Sequence, residues 1–171
     1  SAYPPVLSLP TYPPLPSLCR AAMTLTGTEF LSAITGLCDS WWPARSLVAD
    51  AMAARCEIHP SGQIMVLAHF CPWKDHLFEL EAEQGASGSV LYVLYQDTGG
   101  SWRIQAVPAD PTSFESRKKL PSAWRGVRDE ALSDLVGVPG AVFVHASGFI
   151  GGHATREGAL SMAVQSLVMD L

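Results

Sequence analysis

Along the chain, apolar residues recur first at helical spacing. Phe30, Leu31, Ile34, Leu37 and Cys38 form one stripe at a 3.6-residue period, which predicts a helix from about Ala21. Pro43 suits the first turn of a second helix, with Ser40 as its cap. There Ala44, Leu47, Val48, Ala51 and Met52 share a face, while Arg45, Ser46 and Asp50 point away. The period then shortens to two. Ser61-Gly62 reads as a turn between a short strand near Glu57-Ile58 and a longer one from Gln63 to Ala68. Pro72 opens a helix through Asp75, Leu77, Phe78 and Leu80 that ends before Gly85. Val90 to Tyr95 is nearly all apolar, as a central strand covered on both faces should be. Asp97-Thr98-Gly99-Gly100 is hairpin chemistry, and the return strand sets Trp102, Ile104 and Ala106 against Arg103, Gln105 and Val107. A loop rich in proline and charge follows, from Pro108 to Pro121. A helix near Arg128 turns Ala131, Leu132, Leu135 and Val136 inward and stops at Gly137. Ala141 to Val144 is a further buried strand, and a last helix from about Arg156 carries the stripe Ala159, Leu160, Ala163, Val164, Leu167 and Val168. Together these elements predict one α/β domain, a mixed sheet of about five strands packed with amphipathic helices.

Composition changes this picture at the N-terminus. Residues 1–20 hold six of the 13 prolines, which predicts an extended, disordered tail, a spacer or a ligand for an SH3-type groove; the domain proper is residues 21–171. Over all 171 residues, 48% are hydrophobic and 16% charged, so disorder throughout is excluded. The net charge of −5 excludes a generally basic nucleic-acid coat, and any grip on a polyanion must be local. Apolar runs are too short to span a bilayer, and the first residues lack the charged start and apolar stretch of a secretory leader. Cys19, Cys38, Cys56 and Cys71 form no CxxC pair and read as buried free thiols of an intracellular protein.

Candidate chemistry concentrates in His145-Ala146-Ser147-Gly148-Phe149-Ile150-Gly151-Gly152-His153-Ala154-Thr155-Arg156, between a strand and a helix. Read as a loop, its glycines allow close backbone approach, and the following helix offers unpaired N–H groups to a phosphate or carboxylate. His153 and Arg156 add donors there. Neither a P-loop nor a dinucleotide fingerprint is present, and Ser147 lacks the glycines of a nucleophile elbow. The alternative is a loop that only turns the chain, with His153 as a cap. A second cluster, Arg117, Lys118, Lys119, Arg125 and Arg128 around Trp124, fits either a nucleic-acid contact or a solvated loop. Cys56, His59, His69, Cys71 and His76 lie in one stretch, and Cys56-x-x-His59 resembles half a zinc site, but the partner spacing is irregular; core thiols and surface imidazoles are expected, with zinc as the alternative. The acidic residues are spread along helices as solvent-facing charge, without the crowding that two-metal hydrolysis needs.

Several segments, in order, resemble one family. They are Ser40-Trp41-Trp42-Pro43-Ala44-Arg45-Ser46-Leu47-Val48, Cys71-Pro72-Trp73-Lys74-Asp75-His76-Leu77 and Trp102-Arg103-Ile104-Gln105-Ala106-Val107-Pro108. Ser113 to Arg117, Trp124-Arg125-Gly126, Arg128 to Leu132 and Phe143 to His153 with Thr155 to Leu160 continue the series. The whole is similar to the Myg-type (melanocyte proliferating gene) family, metal-dependent exonucleases of the DHH superfamily, from about Met23 to Val168. The resemblance implies the C-terminal, substrate-binding part of a 3′–5′ RNA exonuclease of nucleus and mitochondrion, with a DHH-associated C-terminal fold. Its Mn²⁺ or Mg²⁺ is then expected in a preceding metal-binding half, which would be a partner for this region. By similarity Gly151, Gly152 and His153, with Ser147, bind substrate phosphate, and Arg103, Arg117, Arg125 and Arg156 are added as clamps on single-stranded RNA or a nucleotide phosphate. No catalytic or metal-binding residue is expected in this chain. The alternatives are a non-catalytic interaction module or a nucleotide-phosphatase fragment, and a face normally covered by the other half implies self-association.

Overall fold

Five strands form one sheet in a computed structural model that describes residues 14–169. Its order is β1 (Ile64–Val66), β2 (Tyr92–Gln96), β3 (Trp102–Ala106), β5 (Ile150–His153), β4 (Ala141–Val144). Only β1 and β2 run parallel, joined by α3 (Lys74–Glu83), as a parallel pair requires a crossover. The other pairs are antiparallel, and β2 returns into β3 through Asp97–Gly100. This is the mixed α/β architecture expected.

Alternation along the strands divides the core in two. Met65, Val93 and Tyr95 pack with α2 (Trp42–Ile58) and α3 on one face. Ile64, Tyr92, Leu94, Ile104 and Ala106 pack with α4 (Asp129–Val136) and α5 (Arg156–Val168) on the other. Hence β2 is apolar at successive positions: both of its faces are covered.

The chain divides into two units, Ser1–Asp39 and Ser40–Leu171. In the first, α1 (Leu15–Gly36) begins earlier than expected. Residues 1–13 of the expected tail lie outside the described residues, whereas Leu15 to Arg20 are helical. Pro14 is the cap and Pro16 sits in the first turn, where a missing N–H costs no hydrogen bond. None of the residues of α1 is buried, so the stripe Phe30, Leu31, Ile34 belongs to no core here.

Other expectations are corrected. Ser40 caps nothing, because a π-helical turn, Leu37–Trp41, runs directly into α2. Such a wide turn accommodates Pro43, which has no N–H for a regular helix. Glu57-Ile58 is the last turn of α2 and not a strand. In α4 only Leu132 and Val136 are buried; Ala131 and Leu135 are exposed. The buried stripe of α5 is Ala159, Met162, Ala163 and Ser166, with Val168 exposed. Cys19, Cys38 and Cys56 are exposed, and only Cys71 is buried. Nor is all acidic charge solvent-facing: Glu81 is buried, as is the imidazole of His76.

Candidate functional site

The antiparallel register decides which side chains meet. Trp102 lies opposite His153, Arg103 opposite Gly152, Ile104 opposite Gly151 and Gln105 opposite Ile150; Phe143 lies opposite Gly152 on the other side. Directly opposed residues project from the same face. Gly151 therefore faces the α4–α5 core, where an added Cβ would press on Leu120 and Val144. Arg103, Gln105, Ile150 and Phe143 share the opposite face with the bare Cα of Gly152. The α2–α3 cluster contains no residue of β3, β4 or β5, so among the described residues of the second unit neither of those helices packs on this part of the sheet.

On that open face Arg103 lies flat. Its Nη2 pairs with Asp97, and its guanidinium sits 5.1 Å from the centre of the Phe143 ring. A Cβ on Gly152 would occupy the position of Arg103 Nη1 and crowd the Phe143 ring. Glycine is needed here for close approach, not for a turn. Nη1 is shielded and has no protein partner. A second guanidinium, Arg128, meets the same Phe143 ring at 5.7 Å. Two guanidinium groups thus meet on one ring, Arg103 paired with Asp97 and Arg128 beside Asp129 and Glu130 at the start of α4.

The segment expected as an anion-binding loop is built differently. Gly151, Gly152 and His153 form β5, between β3 and β4, so ladder pairing on both sides takes up their backbone groups. They cannot cradle an anion with their N–H groups. His153 is fully buried; its Nδ1 accepts the Thr155 N–H at 3.0 Å, its Nε2 has no well-formed hydrogen bond among the described residues, and the Pro139 backbone lies near the ring. Its ring fills the space where a side chain on Gly158 would stand. Burial pushes the imidazole below its ordinary value of 6.5. A His with a lowered folded-state pKa contributes stability fully present above 6.5 and lost as the pH falls from there through the lower value. Thermal melts should therefore drop between pH 7 and 5, and less steeply in His153→Asn, whose amide oxygen can still accept from Thr155. An equal slope in both proteins would contradict this assignment.

The remaining expected residues do not converge. Ser147 is exposed at the hairpin tip, its Oγ 2.8 Å from His145 Nδ1, and the length of β5, about 10 Å at strand rise, separates it from His153. Arg125 Nε donates to the Leu120 carbonyl at 2.9 Å and packs against Gly148. Arg117 is partly buried and held in a two-pronged pair with the buried Glu81, at 2.7 and 2.8 Å, which takes up the guanidinium expected as a clamp. Arg156 begins α5, 6.0 Å from the Trp102 ring centre, and has no acidic partner among the described residues. Arg103 and Gly152 are thus the two expected residues that meet on the open face. Phe143 and Asp97, which escaped sequence reasoning, complete it together with Arg128 from the basic cluster around Trp124. Only the pairing of β3 with β5 and of β5 with β4 reveals them.

The metal implied by the resemblance was tested against the donor set. Among the described residues no group of three or more His, Cys, Asp or Glu is placed to hold an ion. Asp97 is engaged by Arg103, Glu81 by Arg117, and Glu79 and Glu83 by Arg45. The described residues therefore do not fit Mn²⁺ or Mg²⁺, and no hydrolytic step is assigned to them.

A family model described as "Uncharacterised protein family (UPF0160)", MYG1 exonuclease, matches residues 17–167. The chain belongs to this family. Among MYG1 relatives, the human protein named "MYG1 exonuclease" is 53% identical over 149 residues, which cover 86% of this chain and 40% of the human one. A Dictyostelium discoideum MYG1 protein is 50% identical over 146 residues, 85% of this chain and 44% of its own. One from Saccharomyces cerevisiae is 45% identical over 146 residues, 85% of this chain and 43% of its own. The chain thus spans less than half the length of these MYG1 relatives. No solved structure matches it. No helix among the described residues is long and apolar enough to cross a membrane.

Proposed function

We propose that this chain is the strand-holding part of a metal-dependent 3′–5′ exonuclease acting on single-stranded RNA, with the metal centre supplied by a further region of the kind its longer relatives contain. Membership of the MYG1 family and the name "exonuclease" of the human relative support a nuclease role. The observation that carries the strand-holding role is the open face of β3, β5 and β4, where the Arg103 guanidinium, a quarter exposed beside Asp97, and Arg128 share the Phe143 ring. Guanidinium groups bind phosphate by charge-assisted hydrogen bonds, and aromatic rings accept bases. The DHH-superfamily fold, the place of action in nucleus and mitochondrion, and self-association through a face covered by the other region belong to the same proposal.

The test is fluorescence anisotropy of labelled single-stranded RNA across a salt series. Affinity should fall as salt rises, and Arg103→Gln should weaken binding about tenfold and flatten the log–log salt slope by about one. Mn²⁺ should bring no cleavage. An Arg103→Gln protein that binds like the unaltered chain would refute the strand-holding role, and chelator-sensitive cleavage would refute the placement of the metal centre.

A further inference from the structure

Beside Arg103, the open face carries an aromatic pair that the phosphate contacts do not use. Phe70 is 63% exposed, a large apolar ring held out into solvent. It does not hang on a loose loop: Leu67, Cys71 and Trp73 on either side of it are buried and anchor the connection from β1 to α3. The Phe70 ring rests on Tyr95 of β2, with centroids 5.0 Å apart and planes tilted by 51°. A hollow opens on each side of the pair. One, of about 320 Å³, is bounded by Phe70, Tyr95, Asp97, Thr98, Arg103 and Ile150. The other, of about 380 Å³, reaches from Phe70 and Tyr95 to Gln105, Lys74 and Trp73. Both lie at the lower end of the size range of small-ligand sites.

The polar groups around the ring are fixed in direction. The Tyr95 hydroxyl donates to Gln105 Oε1 at 2.9 Å, which orients the amide. Burial pushes the Tyr95 phenol up, so it remains a donor. Among the described residues nothing accepts from Gln105 Nε2, which is left to donate into the second hollow. Arg103, paired with Asp97, bounds the first hollow, and Lys74 and Asp75 bound the second. An exposed, anchored ring with a directed amide donor on one side and the partly exposed Arg103 guanidinium on the other suits a planar heteroaromatic base carrying phosphate.

We propose that Phe70 is a stacking platform for a nucleobase of single-stranded RNA, that Arg103 holds an adjoining phosphate, and that Gln105 Nε2 donates to the base edge. This rests on the strand-holding reading and adds a base contact to it. Base stacking and phosphate contact respond differently to salt, so the two parts separate experimentally.

The experiment titrates a labelled single-stranded RNA, and the same strand with abasic residues, against the unaltered chain, Phe70→Ala, Phe70→Trp and Arg103→Gln. Phe70 is exposed, so its replacement spares the core, and circular dichroism checks the fold of each variant. Phe70→Ala should lose about 5- to 100-fold in affinity for the intact strand with an unchanged salt slope. It should lose little for the abasic strand, and Phe70→Trp should restore binding. If Arg103→Gln weakens binding and flattens the slope while Phe70→Ala does neither, the base platform is overturned and the strand-holding reading stands. Equal loss on intact and abasic strands in Phe70→Ala would also overturn the platform. No binding by the unaltered chain would overturn both.

Discussion

Replacing Arg117 with Met should destabilise the protein by about 3–5 kcal/mol, because it removes one partner of a buried ion pair and leaves the other charge behind. Glu81 is 1% exposed and Arg117 9%, so solvent cannot take over. The pair also organises chain that has no ladder of its own. Glu81 accepts from the N–H groups of Gly88 and Val90, and Arg117 donates to the Val90 carbonyl at 2.8 Å while lying 4.7 Å from the Phe78 ring centre. Two connections, one leading into β2 and one leaving β3, are thereby tied to α3. Burial alone would push the Glu81 carboxyl up, but Arg117 and the backbone donors outweigh it and hold it below its ordinary value of 4.5. A lowered carboxyl contributes stability present above 4.5 and lost as pH falls through the folded-state value. Without Arg117 the burial effect is opposed only by the backbone and hydroxyl donors and the carboxyl rises, so acid relieves the variant. The stability gap between the two proteins, from urea unfolding, should narrow from pH 7 toward pH 4.5. A gap under about 1 kcal/mol at pH 7, the range of exposed pairs, would show that the bridge is not buried in solution.

Gly158→Ala should cost about 3 kcal/mol, at the upper end of the usual range for overpacking. Alanine ordinarily stabilises a helix relative to glycine, so the expected sign is opposite to propensity. The reason is the His153 ring, which occupies the place of the new methyl. That ring has nowhere to go: Thr155 holds its Nδ1, and Gly140 stands against its other edge. His153→Ala should remove the conflict, so Gly158→Ala should become neutral or favourable in that background. A double-mutant cycle from urea unfolding measures this, with a coupling of about 2–3 kcal/mol expected for residues in direct contact. Additive effects would mean that the ring and helix do not meet.

These two sites also show where sequence reasoning succeeded and stopped. The central strand and its hairpin were legible because alternation and turn chemistry are local: the strand expected at Val90 to Tyr95 is found two residues later at its start and one at its end, as Tyr92–Gln96, and the Asp97 to Gly100 turn and the Trp102–Arg103 alternation stand as read. Gly137 ends α4 in a left-handed conformation, as a glycine stop should. The Gly151-Gly152 pair misled because glycine disfavours strands, and only the neighbours show that close approach by Phe143 and Arg103 requires it. Arg117 looked like one member of a basic patch, yet its partner Glu81 lies 36 positions away, beyond any local pattern. The α1 stripe gave the period of a helix but could not say what, if anything, covers it. In physical terms, periodicity reveals which residues face the same way. Sheet order, with β5 between β3 and β4, reveals which of them meet.

The central claim is that single-stranded RNA lies on the sheet face that carries Tyr95, Arg103 and Phe143, with Phe70 beside it, and photo-crosslinking tests it most directly. A 4-thiouridine-containing strand irradiated with the purified chain and mapped by mass spectrometry should label Phe70, Tyr95 or Phe143, with labelling reduced in Arg103→Gln. Crosslinks confined to α4, α5 or the hairpin tip at Ser147, with none on that face, would contradict the account.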